Sequence, residues 1–239
     1  LNLPEGYKIA CGLPSSRYGH LQAEDYYHLV DSPLLASPHL RCLTYQSHGI
    51  PFYIWFYGYT EFDNEQLVRD FKAFTDLQIA TMGEFPEKEY HFINYILPIP
   101  FYHGVEHRNS TMIVLGPHHE GNGLYPDLLG VSSHELFHAW NVIRIRPKEL
   151  WTYDFTRENY FTTCFVAEGC TTYYGDLFLR RAGVISDEAF QKELQVVMKK
   201  HFEQADEAAL SLTESSFDLW LDGYETGIPQ RKVSVSQKG

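Results

Sequence analysis

Two histidines four residues apart, His134 and His138, with a glutamate directly after the first, mark VSSHELFHAW (131–140) as the stretch best suited to chemistry. On a helix, positions i and i+4 lie one turn apart on one face, so both imidazoles can point at the same ion, about 2 Å from each. Glu135 stands beside them, where it can hold a water bound to that ion. Zinc lowers the pKa of such a water toward ~7, and a carboxylate can take its proton as it attacks a carbonyl. A chance match is rare: 12 His and 19 Glu in 239 residues give roughly 0.05 random occurrences. The apolar neighbours Leu128, Leu129, Val131, Leu136, Phe137 and Trp140 point the same way, because ionisable groups on a largely buried helix are costly unless something pairs them.

A catalytic zinc needs a third protein ligand and an open fourth position. Glu168, in FVAEGCTTYYGD, is the strongest candidate, a lone carboxylate among Phe165, Val166, Ala167, Tyr173 and Tyr174. The competing reading is a glutamate on the solvated face of its helix. Asp176, two turns later, is either a partner for a ligand histidine or a surface charge.

The elements that must position these groups run strands first and helices later, an α+β order. Residues 1–48 are rich in Pro, Gly and Ser and predict short strands and loops. GIPFYIWFYGY (49–59) predicts a buried strand. A helix follows, capped by Asp63 with Gln66 three residues on, carrying Leu67, Val68, Phe71, Phe74, Leu77 and Met82 at helical spacing and ended by Gly83. EYHFINYILP (89–98) and STMIVLG (110–116) are further strands, joined by the polar stretch FYHGVEHRN (101–109). The pattern is helical from Asp127 to about Ile145, where Pro147 stops it, and again over 157–182, closed by Gly183. Ser186 caps another helix, with Asp187 and Glu188 in its first turn and Lys199 and Lys200 near its end. A short helix is expected around ESSFDLWLDGY (214–224).

A chain of this length suits one large domain or two small ones, and 44% hydrophobic with 15% aromatic residues can build a large core. The net charge of −12 sets aside nucleic acid and anionic membranes as partners. No run of 18 apolar residues predicts a membrane span. The start, LNLPEGYKIACG, is no signal peptide and reads like the middle of a β-rich region, so a truncated N-terminus and a cytoplasmic location are expected. Cys11, Cys42, Cys164 and Cys170 form no CxxC pair and are expected as free thiols.

SHELFHAWNVIRIRP followed by RENYFTTCFVAEGCTTYYGDLFLRRAGV resembles the glycyl aminopeptidase family of zinc metallopeptidases. These are gluzincins, in which HExxH and a later glutamate bind one zinc, and members often carry a PDZ domain after the catalytic part. The likeness runs from DSPLLASP at 31 to the C-terminus. It implies His134, His138 and Glu168 as ligands of one Zn²⁺ per chain and Glu135 as general base. It also implies a thermolysin-like catalytic domain over 49–239, a small mixed β-sheet followed by helices, cut short at its C-terminal end. Residues 1–48 would be the tail of a preceding all-β domain. HGVEHRNST (103–111) is similar to the family's strand motif bordering the substrate, which implies substrate contacts for Gly104, Glu106 and His107. By analogy with related aminopeptidases, Glu106 would grip the substrate's α-ammonium.

Asn141, Arg144 and Arg146 also fit the family pattern; Asn141 is expected to support the helix near the zinc, and the two arginines to form structural ion pairs. One departure stands out. Where related sequences place a tyrosine that stabilises the oxyanion, this chain has Ser236, with Tyr224 as the candidate substitute. Losing such a donor typically costs ~10²–10³ in rate. The function implied is a zinc-dependent aminopeptidase releasing glycyl or alanyl residues from peptides with a free N-terminus. Two alternatives stay open: a catalytically impaired homologue that keeps the metal and binds peptides, and an endopeptidase in which Glu106 does not select N-termini.

Overall fold

The structure, a computed structural model, describes residues 2–16, 20–117, 123–204, 211–217 and 219. In chain order its elements are β1 (Lys8–Cys11), α1 (Tyr26–Val30), β2 (Leu34–Ser37), β3 (Arg41–Ser47), β4 (Ile50–Tyr57), α2 (Asn64–Met82), β5 (Tyr90–Ile96), β6 (Tyr102–Glu106), β7 (Ser110–Leu115), α3 (Leu124–Phe137), a π-helical turn (Phe165–Gly169), α4 (Cys170–Arg181), α5 (Asp187–Gln204) and α6 (Leu212–Phe217).

The main layer is a mixed five-stranded sheet in the order β3-β4-β5-β7-β6. β4, β5 and β7 run parallel, and β3 and β6 pair antiparallel at the two edges. A parallel neighbour needs a crossover, and α2 supplies it between β4 and β5. β5 is buried along nearly its whole length, as a central strand covered on both faces must be. On β4 the alternate residues Phe52, Ile54 and Phe56 face the core.

α2 forms where its capping signals lie. The Asp63 carboxylate accepts from the N–H groups of Glu65 and Gln66 at 2.9 and 3.1 Å, and Gly83, at φ 92°, ends it. Its buried stripe, Leu67, Phe71, Phe74 and Ile79, packs on the sheet; Phe71 meets Phe92 edge-on with centroids 5.0 Å apart. Full burial of each such side chain contributes about 1.5–3 kcal/mol. α3 lies on the same side, tied to α2 by Gln78, whose amide donates to the Ser133 carbonyl at 2.9 Å and to its hydroxyl at 3.0 Å. Tyr90 of β5 donates to the Glu135 carbonyl at 3.2 Å. The other face of the sheet is covered from the N-terminal side, where β1 and β2 form a two-stranded sheet and Ala10 and Leu40 pack with Ile93.

Several local expectations change. The stretch 101–109 is more than a polar join: it contains β6, an edge strand whose one-sided pairing tolerates Tyr102, His103 and Val105 in solvent. The helix expected over 127–145 spans Leu124–Phe137, with Pro126 accommodated in its first turn. Beyond it the chain opens into wide turns, in which the Ile143 and Ile145 N–H groups reach back to the His138 and Trp140 carbonyls at 3.1 and 2.7 Å. The helix expected over 157–182 begins only near 164. Upstream, Asp154 and Asn159 take each other's polar groups: the Asp154 N–H donates to the Asn159 amide oxygen at 3.0 Å, and Asn159 returns a bond to the Asp154 carbonyl at 3.1 Å. Such side-chain capture competes with helix formation.

β3 precedes residue 48 yet pairs with β4 along its length, from Arg41 opposite Phe56 to Ser47 opposite Ile50. The Ser186 hydroxyl caps α5 by accepting from the Ala189 N–H at 3.2 Å. α6 covers the start of the expected terminal helix; Tyr224 and Ser236 lie outside the described residues. All four cysteines are free thiols. No helix among the described residues is long and apolar enough to cross a membrane.

Candidate metal centre

α3 brings the two histidines to its carboxyl end, His134 in the last turn and His138 as the C-cap. That end of a helix carries partial negative charge and favours a cation. α4 packs tightly against it, because residue 175 is glycine: a methyl group there would sit 3.0 Å from His134 Cα and 3.1 Å from its nitrogen. The Ser133 hydroxyl closes the contact by donating to the Gly175 carbonyl at 2.7 Å.

Glu168 lies in the π-helical turn just before α4. π-turns widen a helix by one residue and frequently mark functional positions. Asn141 stabilises this one. Its side-chain amide donates to the Val166 and Ala167 carbonyls at 3.1 and 3.3 Å and to the Thr171 hydroxyl at 3.0 Å.

His134, His138 and Glu168 converge. The two imidazole Nε2 atoms are 3.0 Å apart, and Glu168 Oε2 lies 3.3 Å from that of His134 and 3.6 Å from that of His138. Three ligands about 2.1 Å from one tetrahedral ion would stand ~3.4 Å from one another. The outer nitrogens are also engaged: His138 Nδ1 is 2.6 Å from the Asn141 carbonyl, and His134 Nδ1 is 3.3 Å from the Thr172 hydroxyl. Nδ1–H donation to the Asn141 carbonyl turns His138 Nε2 inward, where it holds a proton or, in its place, a cation. An inward triangle of such electron-pair donors, largely withdrawn from water, is costly without a cation between them. The residues therefore fit a divalent ion.

Two more carboxylates flank the triangle. Glu106, Glu135 and His138 bring their own ligand atoms within 4.8 Å of one another. Glu135 is only 4% exposed, and burial pushes its carboxyl up to about 8 against the pull of His138. Burial alone would lower His138, but the Glu168 hydrogen bond and the surrounding carboxylates raise it to about 10. His134 is lowered, chiefly by burial. Burial would raise Glu168, yet its bonds to both histidines hold it well below the usual carboxylate range. Negative charge in excess of positive is what a dication would balance.

Gly104 on β6 backs Glu135 directly: a methyl there would overlap the Glu135 carboxylate and come within 2.8 Å of its Cδ and of Val131 Cγ2. Thr111 Oγ1, on β7, stands 3.3 Å from Glu135 Oε2. Glu106 ends β6, half-buried and facing the same space. His107 does not join the group; its ring turns to Asp31 at 3.2 Å. Asp176 bonds neither histidine, whose outer partners are Thr172 and the Asn141 carbonyl. Arg144 pairs with Glu87 at 3.1 Å as expected. Arg146 instead lies over the Tyr153 ring, 4.7 Å from its centroid, and donates to the Tyr27 hydroxyl at 2.9 Å, a cation–aromatic contact in place of an ion pair. Sequence reasoning missed Thr111, Thr172 and Gly175. An isolated glycine inside the helical pattern YYGDLF was the available signal for the last.

The sequence pattern of the M61 glycyl aminopeptidase family matches residues 127–239, and that of the peptidase M61 N-terminal domain matches residues 1–38. No curated protein gives a significant match. Among solved structures, an aminopeptidase N family protein from Idiomarina loihiensis is similar at a TM-score of 0.84 and 27% identity, over 97% of this chain and 41% of that one. An M1 zinc metallopeptidase from Deinococcus radiodurans is similar at 0.52 and 15% identity, over 92% of this chain and 47% of that one, a likeness of fold alone. The same scores of 0.52 and 15%, over 92% and 46%, hold for a mutant of that enzyme bound to a Tyr-Ser-Ala substrate. The chain spans less than half the length of these structures.

Proposed function

The chain belongs to the M61 glycyl aminopeptidase family, and from that premise we propose that it is a zinc-dependent aminopeptidase releasing small N-terminal residues, glycyl or alanyl, from peptides. The observation that carries the reading is the triangle of His134 Nε2, His138 Nε2 and Glu168 Oε2, spaced 3.0, 3.3 and 3.6 Å, with the Glu135 carboxylate beside it and outside it. His134, His138 and Glu168 would hold one zinc ion, which when bound supplies Lewis acidity, lowering the pKa of water toward ~7 and polarising a carbonyl.

The chain's own residues do the rest. Glu135, buried beside the triangle, takes a proton from the attacking water and returns it to the leaving amine. Gly104 lets it stand close to β6. The outer edge of β6, which pairs with no strand among the described residues, can align an extended peptide through main-chain hydrogen bonds. Glu106, at the end of that strand, pairs with the substrate's α-ammonium through a charge-assisted bond and so selects N-termini. We also place the end of the N-terminal unit before residue 41, since β3 belongs to the sheet of the later part.

The test is metal analysis of the purified full-length protein together with a glycyl-arylamide assay. The expected result is one zinc per chain, hydrolysis abolished by chelation and by Glu135→Gln, and no cleavage of the N-acetylated substrate. Equal cleavage of N-acetylated peptides would instead make it an endopeptidase. Stoichiometric zinc without turnover would favour the impaired homologue suggested by Ser236. Zinc far below one per chain would overturn both zinc readings.

A further inference from the structure

The turn between β6 and β7, residues 107–109, follows Glu106 directly, and the N-terminal part of the chain holds it at several points. Asp31, the C-cap of α1, takes two of them: Oδ2 accepts from the Arg108 N–H at 2.8 Å, and Oδ1 lies 3.2 Å from His107 Nδ1. Asn109 donates to the Gly12 carbonyl at 2.8 Å, and the two pack closely: a methyl on Gly12 would sit 3.0 Å from Asn109 Cγ and press on that side chain. The Arg108 guanidinium bridges Glu24 at 3.0 Å and Glu87 at 2.9 Å. Asp31 and His107 side chains are each 17% exposed, so their pair is shielded more than a surface ion pair. Glu106 itself carries no such tether: among the described residues no ion pair claims its carboxylate. Its backbone is held by the pairing of Glu106 with Thr111 in the sheet and by the turn that follows.

We propose that Asp31 is a positioning residue for the substrate's amine: it fixes the β6–β7 turn and thereby the reach of Glu106, so that the N-terminal segment sets the preference for free N-termini. The inference rests on Glu106 as the ammonium anchor. A placement error of about 1 Å can cost roughly 10²-fold in rate, and a loosened turn lets Glu106 spend part of its time off the ammonium. Asp31→Ala removes both anchors. Asp31→Asn keeps an acceptor for the Arg108 N–H and tests partial rescue. Asn109→Ala cuts the second tether separately, which keeps the idea testable if Asp31→Ala fails to fold.

The experiment measures KM and kcat on a glycyl-arylamide, the Kd of glycine amide by calorimetry, and melting temperature, all on the full-length zinc-loaded protein. Expected are a roughly tenfold rise in KM and Kd for Asp31→Ala with kcat within about twofold, a smaller rise for Asp31→Asn, and a lower ratio of free-amine to N-acetyl cleavage. In a Glu106→Gln background the Asp31 effect should vanish, because it acts through Glu106. Lower melting temperatures with unchanged KM and Kd, or Asp31 effects that persist without Glu106, would overturn the proposal while leaving the peptidase reading intact. A wild-type protein that neither cleaves the arylamide nor binds glycine amide would overturn the reading of Glu106 itself, and this proposal with it.

Discussion

Gly104→Ala is the sharpest probe of Glu135. The glycine is not among those with positive φ, so the substitution changes space and leaves the backbone unstrained. The new methyl would come within 2.8 Å of Glu135 Cδ and of Val131 Cγ2, and would overlap the carboxylate oxygen. Carbon atoms settle at about 3.5–4.0 Å, so the carboxyl must retreat by about 1 Å. Glu135 is buried, with Thr111 on one side and His138 on the other, so the retreat cannot be absorbed in solvent. A misplacement of that size costs roughly 10²-fold, and it falls on kcat because a general base acts in the transition state and not in binding. Overpacking costs a further ~1–3 kcal/mol of stability. Steady-state kinetics on a glycyl-arylamide, with zinc content by elemental analysis, reads both sides: kcat falls while zinc and KM hold. A variant with kcat within twofold of wild type and full zinc would refute Glu135 as the base or the closeness of β6 to it.

Two other perturbations test the supports. Asn141→Ala strips a donor from the Val166 and Ala167 carbonyls and from Thr171. It should weaken zinc binding about 10–100-fold in competition with a chelator and cost ~1–3 kcal/mol in urea unfolding; zinc affinity equal to wild type would show that the π-turn needs no clamp. Burial, with Glu193 nearby, pushes the Asp176 carboxyl up to about 6 from its usual 3.8. A carboxyl raised on folding contributes its stability in full below the unfolded value of 3.8 and loses it as pH rises through the folded value near 6. Asp176→Asn should therefore flatten the pH dependence of stability between about pH 4 and 6 and be the more stable protein above it, by on the order of 1 kcal/mol; urea midpoints that track wild type through that window would refute the assignment.

Local chemistry was the legible part. Asp63 and Gly83 bound α2 because a carboxylate cap and a left-handed glycine act within a few residues of themselves. His134 and His138 share a face by helical spacing, and Glu168 stood out as a charge among apolar neighbours. Long-range geometry was not legible. β6 reads as a polar join because an edge strand needs little hydrophobic pattern, and only its pairing with β7 defines it. The helix expected over 157–182 starts late because Asp154 and Asn159 capture each other, a contest that periodicity does not register. The Asp31 contacts bridge 76 and 77 positions of sequence, and Gly175 matters only once α4 lies against α3.

The five-residue wide turn at Phe165–Gly169 gives the helix that follows two independent duties. From Cys170 onward it is pinned by contact, with Gly175 against His134. Ahead of that point, one surplus residue changes the phase of the side chains without moving the packed part. Excising Gly169 would restore an even helical pitch and rotate Glu168 by ~100° about the axis relative to the packed helix, swinging its carboxylate out of the triangle while every downstream seat stayed filled.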